Sequence, residues 1–524
     1  MKASTSILIS ATVLLAAVTT STRLISQNNP AGSDHKHHHY KLIDLGTFGG
    51  PQSYVTSPDL TLEADVNNHG VLTGWADTST PDPFPNFCFD EDCFVAHAFQ
   101  WKNGVRSDLG VLPGGASSES SWISDSGLIA GVSENGGIDP LVTGFPELRA
   151  VLWKDGKIRD LGTLPEGGHE SLAIAVNSRG LVVGLATNTT PDPDSMFGLG
   201  YQSRAFVWDK REGMQDLGTL SGGTDAQALL VNERGEVLGW SYTSSAPSAV
   251  CASFGVGLSL TTGTFLWDKE HGMVNLGGFG GTCTLASGLN NRGQVAGGSY
   301  LTGDQSSHAF LWDRATGLKD LPTLGGDIAG AFAINDDGEA VGGSFLQGDV
   351  QIDAALWGKG GITDLGVVAG DCGSYAFGIN ASGQVVGSSF ICSSDSTHGF
   401  LWEDGGPMLD LNTLIVPNSS LYVPLGITIN DSGEIAAPGI LPNGDEHAVL
   451  LIPCDENHPG VGGCDYSLVD SATAVAVHTA HITDAQAAAA SQFKLSPGAM
   501  MVRFRSSRAG RNHRYGTPQA SPRQ

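Results

Sequence analysis

The sequence predicts an all-β protein built from repeated antiparallel units, because three phrases recur in fixed order along the chain. The first phrase is an apolar stretch that ends in Asn-x-x-Gly. Its copies are Asn67–Gly70, Asn177–Gly180, Asn232–Gly235, Asn290–Gly293, Asn335–Gly338, Asn380–Gly383 and Asn430–Gly433, with Ser124–Gly127 as a degenerate copy. They recur every 45 to 58 residues, a period that is typical of propellers and solenoids.

The other two phrases complete each repeat. The second is an aromatic-rich stretch of the type HAFLW, whose tryptophans are Trp101, Trp153, Trp208, Trp267, Trp312, Trp357 and Trp402. The third is DLGTLGG, which begins at Asp44, Asp108, Asp160, Asp216, Asp320, Asp364 and Asp410, with Asn275 as a variant. An eighth copy of the second phrase, His447–Leu451, lacks the tryptophan.

Each phrase corresponds to a part of a small antiparallel sheet. Asn-x-x-Gly predicts a type I turn followed by a left-handed residue, as in short hairpin loops. The residues after this turn predict a second strand, HAFLW a third, and the stretch before Asp-Leu-Gly a fourth. Four antiparallel strands form one blade, so the sequence predicts an eight-bladed β-propeller over residues 40–453. A helical solenoid is excluded because no window has a 3.6-residue period, and a parallel β-helix fits poorly because its coils use few hairpins.

The two ends of the repeat region predict how the ring closes. Tyr40–Gly46 matches a fourth strand but has no first three strands before it. The last repeat has three strands, the third at His447–Leu451, but no Asp-Leu-Gly of its own. We therefore expect Tyr40–Phe48 to pair with Glu446–Leu451 and complete the eighth blade. This pairing would cover an apolar strand edge that otherwise invites aggregation.

The recurring tryptophans and the residues that begin the third strands suggest packing rather than chemistry. One buried aromatic side chain removes about 150–250 Å² from water, so a tryptophan in each repeat favours packing between blades. A His or Arg also recurs, at His97, Arg149, Arg204, His308, His398 and His447. An Asp of the fourth strand should lie nearby in the hairpin. Because a catalytic site would occur once, we interpret these pairs as structural hydrogen bonds.

The phrases HAFLW, DLGTLGG and IN-x-x-G-x-V-V-G together resemble the HAF family of bacterial extracellular repeat proteins. The resemblance covers about residues 40–453 and implies an exported protein with propeller-like repeats and no established activity. The chain departs from this pattern at Ser124 and at the end of the eighth repeat. The Gly-Gly pairs also resemble kelch proteins, although the order of the motifs differs.

The chain ends predict export and a changed composition outside the repeats. Lys2 and the apolar run Ile7–Val18 predict a signal peptide over residues 1–26, with an uncleaved anchor as the alternative. The protein would then be secreted, or periplasmic or otherwise extracellular. Residues 27–39 form a polar linker with His35, His37, His38 and His39, which we expect to be solvated, a metal-binding role being the alternative.

The segment after the propeller, residues 454–524, begins with a stretch bracketed by cysteines. A capping-box pattern at Thr483–Gln486 predicts a short helix, and the basic end of the chain is expected to be largely disordered. The chain has eight cysteines, an even number that suits an exported protein. We expect local disulfides Cys88–Cys93 and Cys454–Cys464, and propose Cys251–Cys283 and Cys372–Cys392 for the rest.

The charge narrows the choice of partner. Residues 31–467 hold 52 acidic and 18 basic side chains, so nucleic acid is an unfavourable partner. We expect an extracellular glycan or a protein as the ligand, no membrane span after signal removal, and a monomer. No cofactor is expected apart from calcium, for which acidic loop side chains are candidate ligands. These are Asp82, Asp90, Glu91 and Asp92, or Asp192 and Asp194.

Long loops between second and third strands in the first four repeats predict the functional face. The loops are residues 76–96, 133–148, 186–203 and 241–263, whereas the later repeats have loops of about eight residues. Function often resides in long loops on a rigid scaffold, although unconstrained drift in sequence is the alternative explanation. The candidate ligand-binding residues, which we expect to be exposed, are Phe84, Phe87, Asp90, Glu91, Asp92, Phe94, Asp192, Asp194, Phe197 and Tyr201.

Three functions are consistent with these features. The first is a non-catalytic ligand-binding or adhesion module of the cell exterior. The second is a hydrolase or lyase at the mouth of the propeller channel, suggested by fold analogy alone. The third is an interaction scaffold for a protein partner. The sequence contains no Gly-x-Ser-x-Gly, His-Glu-x-x-His or phosphate-loop motif, so no catalytic residue is predicted.

Overall fold

The computed structural model describes residues 36–55, 65–89, 92–165, 167–252, 258–392, 394, 396–417, 419–470 and 483–491. Over these ranges the protein is all-β, with only short helices. The predicted signal peptide, most of the linker and the basic end of the chain lie outside the described residues. Within the described residues, no helix has the length and apolar character needed to cross a membrane.

Strands β1 (Lys36–His38) and β2 (Tyr40–Asp44) come first, followed by three repeats that each form a four-stranded antiparallel sheet. The first repeat contains β3 (Gly49–Tyr54), β4 (Leu72–Pro81), β5 (Phe94–Lys102) and β6 (Val105–Asp108). The second contains β7 (Ser118–Ile123), β8 (Ile129–Ile138), β9 (Pro146–Lys154) and β10 (Lys157–Asp160). The third contains β11 (Ser171–Val176), β12 (Val182–Pro191), β13 (Tyr201–Asp209) and β14 (Gly213–Asp216).

The next three repeats belong to one twelve-stranded sheet. The fourth repeat contains β15 (Ala226–Val231), β16 (Val237–Pro247), β17 (Leu260–Asp268) and β18 (Gly272–Asn275). The fifth contains β19 (Gly280–Leu289), β20 (Val295–Leu301), β21 (Ser307–Asp313) and β22 (Gly317–Asp320). The sixth contains β23 (Gly325–Ile334), β24 (Ala340–Leu346), β25 (Ile352–Gly358) and β26 (Gly361–Gly366). Each group of four is antiparallel, and the parallel bridges Thr262↔Cys283 and Ser307↔Ile328 join neighbouring groups.

The seventh repeat and a terminal sheet complete the described strands. The seventh repeat contains β27 (Asp371–Ile379), β28 (Val385–Ile391), β29 (Thr397–Trp402) and β30 (Leu409–Asp410). The terminal sheet contains β31 (Thr428–Ile429), β32 (Ile435–Ile440) and β33 (Glu446–Pro453), and β2 pairs with β33 as its fourth strand. Strand β34 (Leu468–Asp470) pairs with β1. The helices are α1 (Ala249–Ala252), α2 (Leu411–Leu414) and α3 (Asp484–Ala490).

The N-terminal strand β2 adds to the end of the repeat region, as the sequence predicts. Tyr40 lies opposite Pro453, and Leu42 lies opposite Leu451. The backbone N–H of Leu45 continues this contact by donating to the carbonyl of Ala448 at 3.0 Å. Four-stranded antiparallel blades are therefore the unit of the fold, and one of them combines strands from both ends of the described repeat region.

The Asn-x-x-Gly phrase forms the predicted first-to-second-strand turn and also joins neighbouring repeats. The side-chain oxygen of Asn380 accepts the backbone N–H groups of Ser382 (3.2 Å) and Gln384 (2.9 Å), and Gly383 has a φ of 81°. The Asn380 amide nitrogen donates to the carbonyl of Asn430 in the next sheet at 3.0 Å. This second contact was not expected from the sequence.

The same inter-repeat bond recurs at the other asparagines. Asn67 donates to Ser124, Asn177 to Asn232, Asn232 to Asn290, Asn290 to Asn335, Asn335 to Asn380, and Asn430 to Asn67, all at 2.9 to 3.1 Å. Ser124 has no amide to donate, and its hydroxyl bonds within its own turn to Ser126 and Leu128. The series of asparagine bonds is therefore interrupted after the second repeat, where the Ser126 hydroxyl donates to the carbonyl of Ser178 at 3.1 Å instead.

The Phe of HAFLW packs on the Gly of the second strand. In the third repeat Gly184 lies opposite Phe206, which is fully buried. A Cβ at Gly184 would lie 1.9 Å from the Leu172 carbonyl oxygen and 3.0 Å from the Phe206 ring. Only glycine leaves room there for both the bulged first strand and the ring, so the two motifs are coupled by packing.

Most repeat tryptophans are buried, in agreement with a packing role. Trp101, Trp153, Trp208, Trp312 and Trp357 are buried, whereas Trp267 and Trp402 are half-buried. The predicted hairpin pairs also form, since His97–Asp108, Arg204–Asp216, His308–Asp320 and His447–Asp44 lie at 2.8 to 2.9 Å.

Two of the predicted pairs take other partners. Arg149 contacts Glu147 at 3.1 Å and the carbonyl of His169, because a carboxylate two positions away on its own strand is within reach. His398 contacts Asp371 at 2.9 Å. Asp410, the expected partner of His398, instead accepts the backbone N–H of Asn412 as the N-cap of α2.

The histidine linker is more ordered at its end than expected. His37 is buried and its Nδ1 lies 2.6 Å from Glu403 Oε1. His38 and His39 contact the carbonyls of Cys454 and Leu414. The expectation of a solvated linker is therefore wrong for these three histidines. The pairing of β1 with β34 and these contacts hold them against the protein. His35 lies outside the described residues.

The cysteines form three of the four proposed disulfides. Cys88–Cys93, Cys251–Cys283 and Cys454–Cys464 are bonded. Cys372 and Cys392 are not joined to each other, because each thiol is directed to a carbonyl of the opposite strand, at Phe390 and Gly370. The capping box of α3 is confirmed, with Thr483 and Gln486 bonding each other's backbone N–H.

Candidate functional site

The long loops follow the second strands of the first four repeats, as predicted, but the strands extend further into them. The structure leaves residues 82–93, 139–145, 192–200 and 248–259 between strands, compared with 302–306 in the fifth repeat. The Cys88–Cys93 disulfide closes the first loop. Cys251–Cys283 ties the fourth loop to the first strand of the fifth repeat.

The predicted loop residues are more enclosed than expected. Phe197 is 6% exposed and Asp192 is 8% exposed, so the expectation of exposure is wrong for these two. Phe84, Phe87, Asp92, Phe94, Asp194 and Tyr201 are half-buried. Asp90 and Glu91 lie outside the described residues.

The reason for this enclosure is that the loops pack on one another. The Phe87 ring meets the Phe145 ring of the second loop edge to face at 5.2 Å. Phe89, Phe145 and Phe197 belong to one hydrophobic cluster that also contains Cys251 of the fourth loop. The loops therefore form a packed layer rather than four separate projections.

The loop acids hold the local backbone. Asp82 Oδ1 accepts the N–H of Phe84 at 2.7 Å, and Asp194 Oδ1 accepts the hydroxyl of Ser259 at 3.0 Å. Asp92 Oδ2 accepts the side-chain amide of Gln52 at 3.2 Å. Among the described residues, no three His, Cys, Asp or Glu side chains converge as a metal site would require. Calcium binding by the loops stays a prediction.

A cleft of about 610 Å³ lies between the third and fourth repeats. Its apolar lining comes from Leu181, Val207 and Trp267. Its polar lining belongs to the first-to-second-strand turns, with Arg179 and Arg234, and to the third-to-fourth-strand turns. Both kinds of turn lie at the strand ends opposite the long loops. The cleft therefore opens on the side of the repeats opposite the long loops.

Ion pairs order the charged side of this cleft. Lys269 Nζ lies 2.9 Å from Glu212 Oε1, and hydrogen bonds from Gln215 and Lys269 lower the pKa of Glu212 to about 2. Asp268 is shared by His271 at 2.9 Å and Arg314 at 2.5 Å. These contacts lower the pKa of Asp268 although its burial acts in the opposite direction. Both carboxylates are thus ionised at neutral pH.

Two arginines offer donors toward the cleft. Arg234 Nη1 donates to the carbonyl of Arg292 at 2.8 Å, and its Nε lies 3.6 Å from Glu236. Arg179 has no ion pair within the described part of the chain. A ligand with hydroxyl groups would find donors and acceptors side by side here, next to the apolar Trp267.

Little in the repeat pattern indicates this cleft. The turn residues around it vary between repeats, so the repeat phrases draw no attention to them. One signal was present, since Lys210, Arg211, Arg234, Lys269 and Arg314 concentrate basic charge in the turns of a strongly acidic region.

No family model matches the chain, and no curated protein matches it. Several solved structures have a similar fold. The β-propeller domain of the Trilobed protease from Pyrococcus furiosus is 9% identical with a TM-score of 0.38, over 72% of this chain and 96% of that chain. Acylaminoacyl peptidase from Pyrococcus horikoshii is 10% identical with a TM-score of 0.40, over 76% and 62%.

Dipeptidyl peptidase 4 from Porphyromonas gingivalis is 9% identical with a TM-score of 0.43, over 69% of this chain and 55% of that chain. The alignments thus span less than two thirds of both peptidases. With TM-scores below 0.5, these likenesses carry no argument about this chain, and the activities of these proteins are not transferred to it.

Proposed function

We propose that this protein is an exported, non-catalytic binding module that holds a neutral oligosaccharide in the cleft between its third and fourth repeats. The observation that carries the proposal is Trp267, which is half-buried and lines a cleft of about 610 Å³. Most of its repeat counterparts are buried as packing residues. An accessible indole beside convergent polar groups is typical of ligand pockets.

The polar lining favours a saccharide over a polyanion. The cleft combines donors on Arg179 and Gln215 with acceptor oxygens on Asp209 and Glu212, an arrangement suited to hydroxyl groups. The surrounding region is strongly acidic, so a polyanionic chain would be repelled over a longer range. The apolar face of a sugar ring can lie against Trp267 while its hydroxyls reach this lining.

The proposal includes a closed ring of eight blades. Support comes from the pairing of β2 with β33 and from the Asn430-to-Asn67 bond, which both link the two ends of the repeat region. The three antiparallel groups in the twelve-stranded sheet count as three blades, since only single bridges connect them. With the other five sheets of four strands, the count is eight.

Export, membership of the HAF family and a monomeric state are also parts of the proposal. The apolar N-terminal run and the repeat phrases support export and the family. The three disulfides are typical of proteins that fold in oxidising compartments.

The test is a glycan-array screen of the full chain without its signal peptide, followed by titration of tryptophan fluorescence with the best ligand. We expect Trp267→Ala to weaken binding at least 10-fold. Trp402→Ala is the matched control, because Trp402 is also half-buried but lies outside the cleft, and it should bind like the parent.

Other outcomes would contradict the proposal. Binding that survives Trp267→Ala but is lost on shortening residues 82–93 and 192–200 would instead support the loop face and its residues, such as Phe84 and Tyr201. A requirement for calcium in that case would support the loop acids as its ligands. Shortened saccharides released during the screen would support the hydrolase or lyase alternative, and binding to proteins alone would support a scaffold.

A further inference from the structure

Three of the long loops begin with an Asp followed by a Pro, at Asp82, Asp139 and Asp192. Each of these carboxylates accepts backbone N–H groups of its own loop. Asp139 Oδ1 accepts Leu141 at 2.5 Å, and Asp192 Oδ1 accepts Asp194 at 2.9 Å. The carboxylates thus fix the start of each loop.

A second carboxyl group from the next repeat meets two of these Asp residues. Glu170 is in side-chain contact with Asp139, and Asp225 is in side-chain contact with Asp192. Glu170 and Asp225 are both fully buried. Each contact therefore joins a loop of one repeat to the residue just before the first strand of the following repeat.

The other contacts of these carboxyl groups use only one oxygen each. Glu170 Oε2 accepts the N–H of Leu148 at 2.6 Å. Asp225 Oδ1 accepts the N–H and hydroxyl of Ser203, both at 2.8 Å, and the N–H of Met196 in the third loop at 3.1 Å. Glu170 Oε1 and Asp225 Oδ2 have no donor within the described part of the chain. Two buried carboxylates facing each other without a donor would repel strongly.

The nearby charged groups do not supply the missing donor. Beside Glu170, Arg149 is held by Glu147 and by the carbonyl of His169, and His169 itself pairs with Glu147.

Beside Asp225, Arg204 is held by Asp216 at 2.9 Å and by the carbonyl of Thr224 at 3.3 Å. The Tyr242 hydroxyl donates to the carbonyl of Asp194, whose own carboxylate adds further negative charge.

The fourth loop shows how the same junction is made without two carboxyl groups facing each other, since the Thr282 hydroxyl of the next repeat donates to Asp304 Oδ2 at 2.8 Å. It begins with Ser248, whose Oγ accepts the N–H of Cys251 at 3.1 Å. Ser248 Oγ lies 2.6 Å from the Thr282 hydroxyl of the next repeat. Two hydroxyls carry their own protons, so this junction needs none from solvent.

We infer that the Asp139–Glu170 and Asp192–Asp225 pairs each hold one shared proton, and that losing it on a rise in pH loosens the second and third loops. The inference stands independently of the ligand proposed above. The attachment of the second and third loops to the next repeat then depends on pH, whereas the attachment of the fourth loop does not.

The pKa shifts of Glu170 and Asp225 have the direction that a shared proton requires. Burial, followed by contact with Asp139, raises the pKa of Glu170, and burial together with contact with Asp192 raises that of Asp225. Because these values lie above those of the unfolded chain, the protonated pairs stabilise the fold fully below the unfolded pKa of about 4. That stability is lost as the pH rises through the folded values.

Hydrogen exchange of the full chain at pH 5 and pH 8.5, corrected for the intrinsic rate, tests this inference. We expect backbone amides of residues 139–148 and 192–203 to lose at least 10-fold protection at the higher pH. Amides of residues 248–252 should keep their protection, which provides an internal control. Equal protection at both pH values in all three loops would overturn the inference.

Asp225→Asn supplies a permanent donor toward Asp192 and should abolish the pH dependence of residues 192–203 while leaving that of 139–148 intact. A variant that retains the parental dependence would contradict the shared proton. If calcium restores parental protection at pH 8.5, the pair is a cation site instead. Should Asp225→Asn fail to fold, Asp192→Asn supplies the donor from the other side of the pair, and it should likewise abolish the pH dependence of residues 192–203.

Discussion

Replacing Asn430 by Ser tests the bond that links the two ends of the repeat region. Asn430 is buried, and its amide nitrogen donates to the Asn67 carbonyl at 2.9 Å and to Glu434 Oε2 at 2.6 Å. Its oxygen accepts two backbone N–H groups of its own turn, those of Ser432 and Glu434. The second repeat already has a serine at this position, and Ser124 accepts the N–H of Leu128.

A serine therefore keeps part of the turn but loses the bond between sheets. The Asn67 carbonyl would keep only the N–H of Gly70 as a donor, and Glu434 would lose its bond from the Asn430 amide. Since a lost hydrogen bond costs about 0.5–1.5 kcal/mol, the loss of these two bonds should lower the free energy of unfolding of Asn430→Ser by about 1–3 kcal/mol. Urea denaturation at pH 6.5 measures this, with an unchanged m-value.

Asn335→Ser is the matched control within the chain, because Asn335 donates to Asn380 at 3.1 Å and to Glu339 at 3.0 Å. In a closed ring the two variants should lose equal stability. In an open ring, the bond at the junction contributes little, and a much smaller loss for Asn430→Ser than for Asn335→Ser would refute the reasoning.

Three further predictions concern other contacts. Ser124→Asn restores the missing link to the third repeat and should raise the free energy of unfolding by about 0.5–1.5 kcal/mol; no change in urea denaturation would contradict this. His97→Gln should lower the free energy of unfolding by no more than about 1 kcal/mol at pH 5 and should leave it unchanged at pH 9. The bond to Asp108 raises the pKa of His97, and its stabilisation is lost as the pH rises through the raised value. A loss that does not depend on pH would exclude the charged pair. Replacing Cys251 and Cys283 by Ser opens a link between positions 32 residues apart, so we expect a loss of about 3–4 kcal/mol, and an unchanged melting temperature would contradict it.

The repeat architecture could be predicted because each of its parts depends on local sequence. The turn at Asn380–Gly383 needs an amide and a residue with positive φ, and both are visible in the sequence. The unmatched strand Tyr40–Asp44 could be assigned to its partner by counting strands. The pairing of Leu42 with Leu451 follows that count.

The candidate site could not be predicted in the same way, because it depends on contacts between repeats. The polar loop predicts an exposed Phe197, yet this residue is buried because Phe145 and Cys251 of other loops belong to the same cluster. The accessibility of Trp267 is likewise set by neighbouring turns rather than by its own phrase. His398 pairs with Asp371 rather than with the expected Asp410, because Asp410 is the N-cap of α2.

The closed ring is tested most directly by cross-linking its two ends. Lys41 lies opposite Ile452 in the β2–β33 pair, so Lys41→Cys with Ile452→Cys should form an intrachain disulfide in the monomer. Cys372→Ser and Cys392→Ser remove the two thiols of the described chain that are outside disulfides, so that the introduced pair cannot cross-link to them. Lys41→Cys with Leu450→Cys, two residues out of register, is the control.

The ring predicts that peptide mapping under non-reducing conditions finds a link between residues 41 and 452 in most molecules, and little link in the control. The cross-linked protein should also unfold at a higher temperature than the out-of-register control. Absence of the 41–452 link, or cross-links that form only between molecules, would contradict the closed ring.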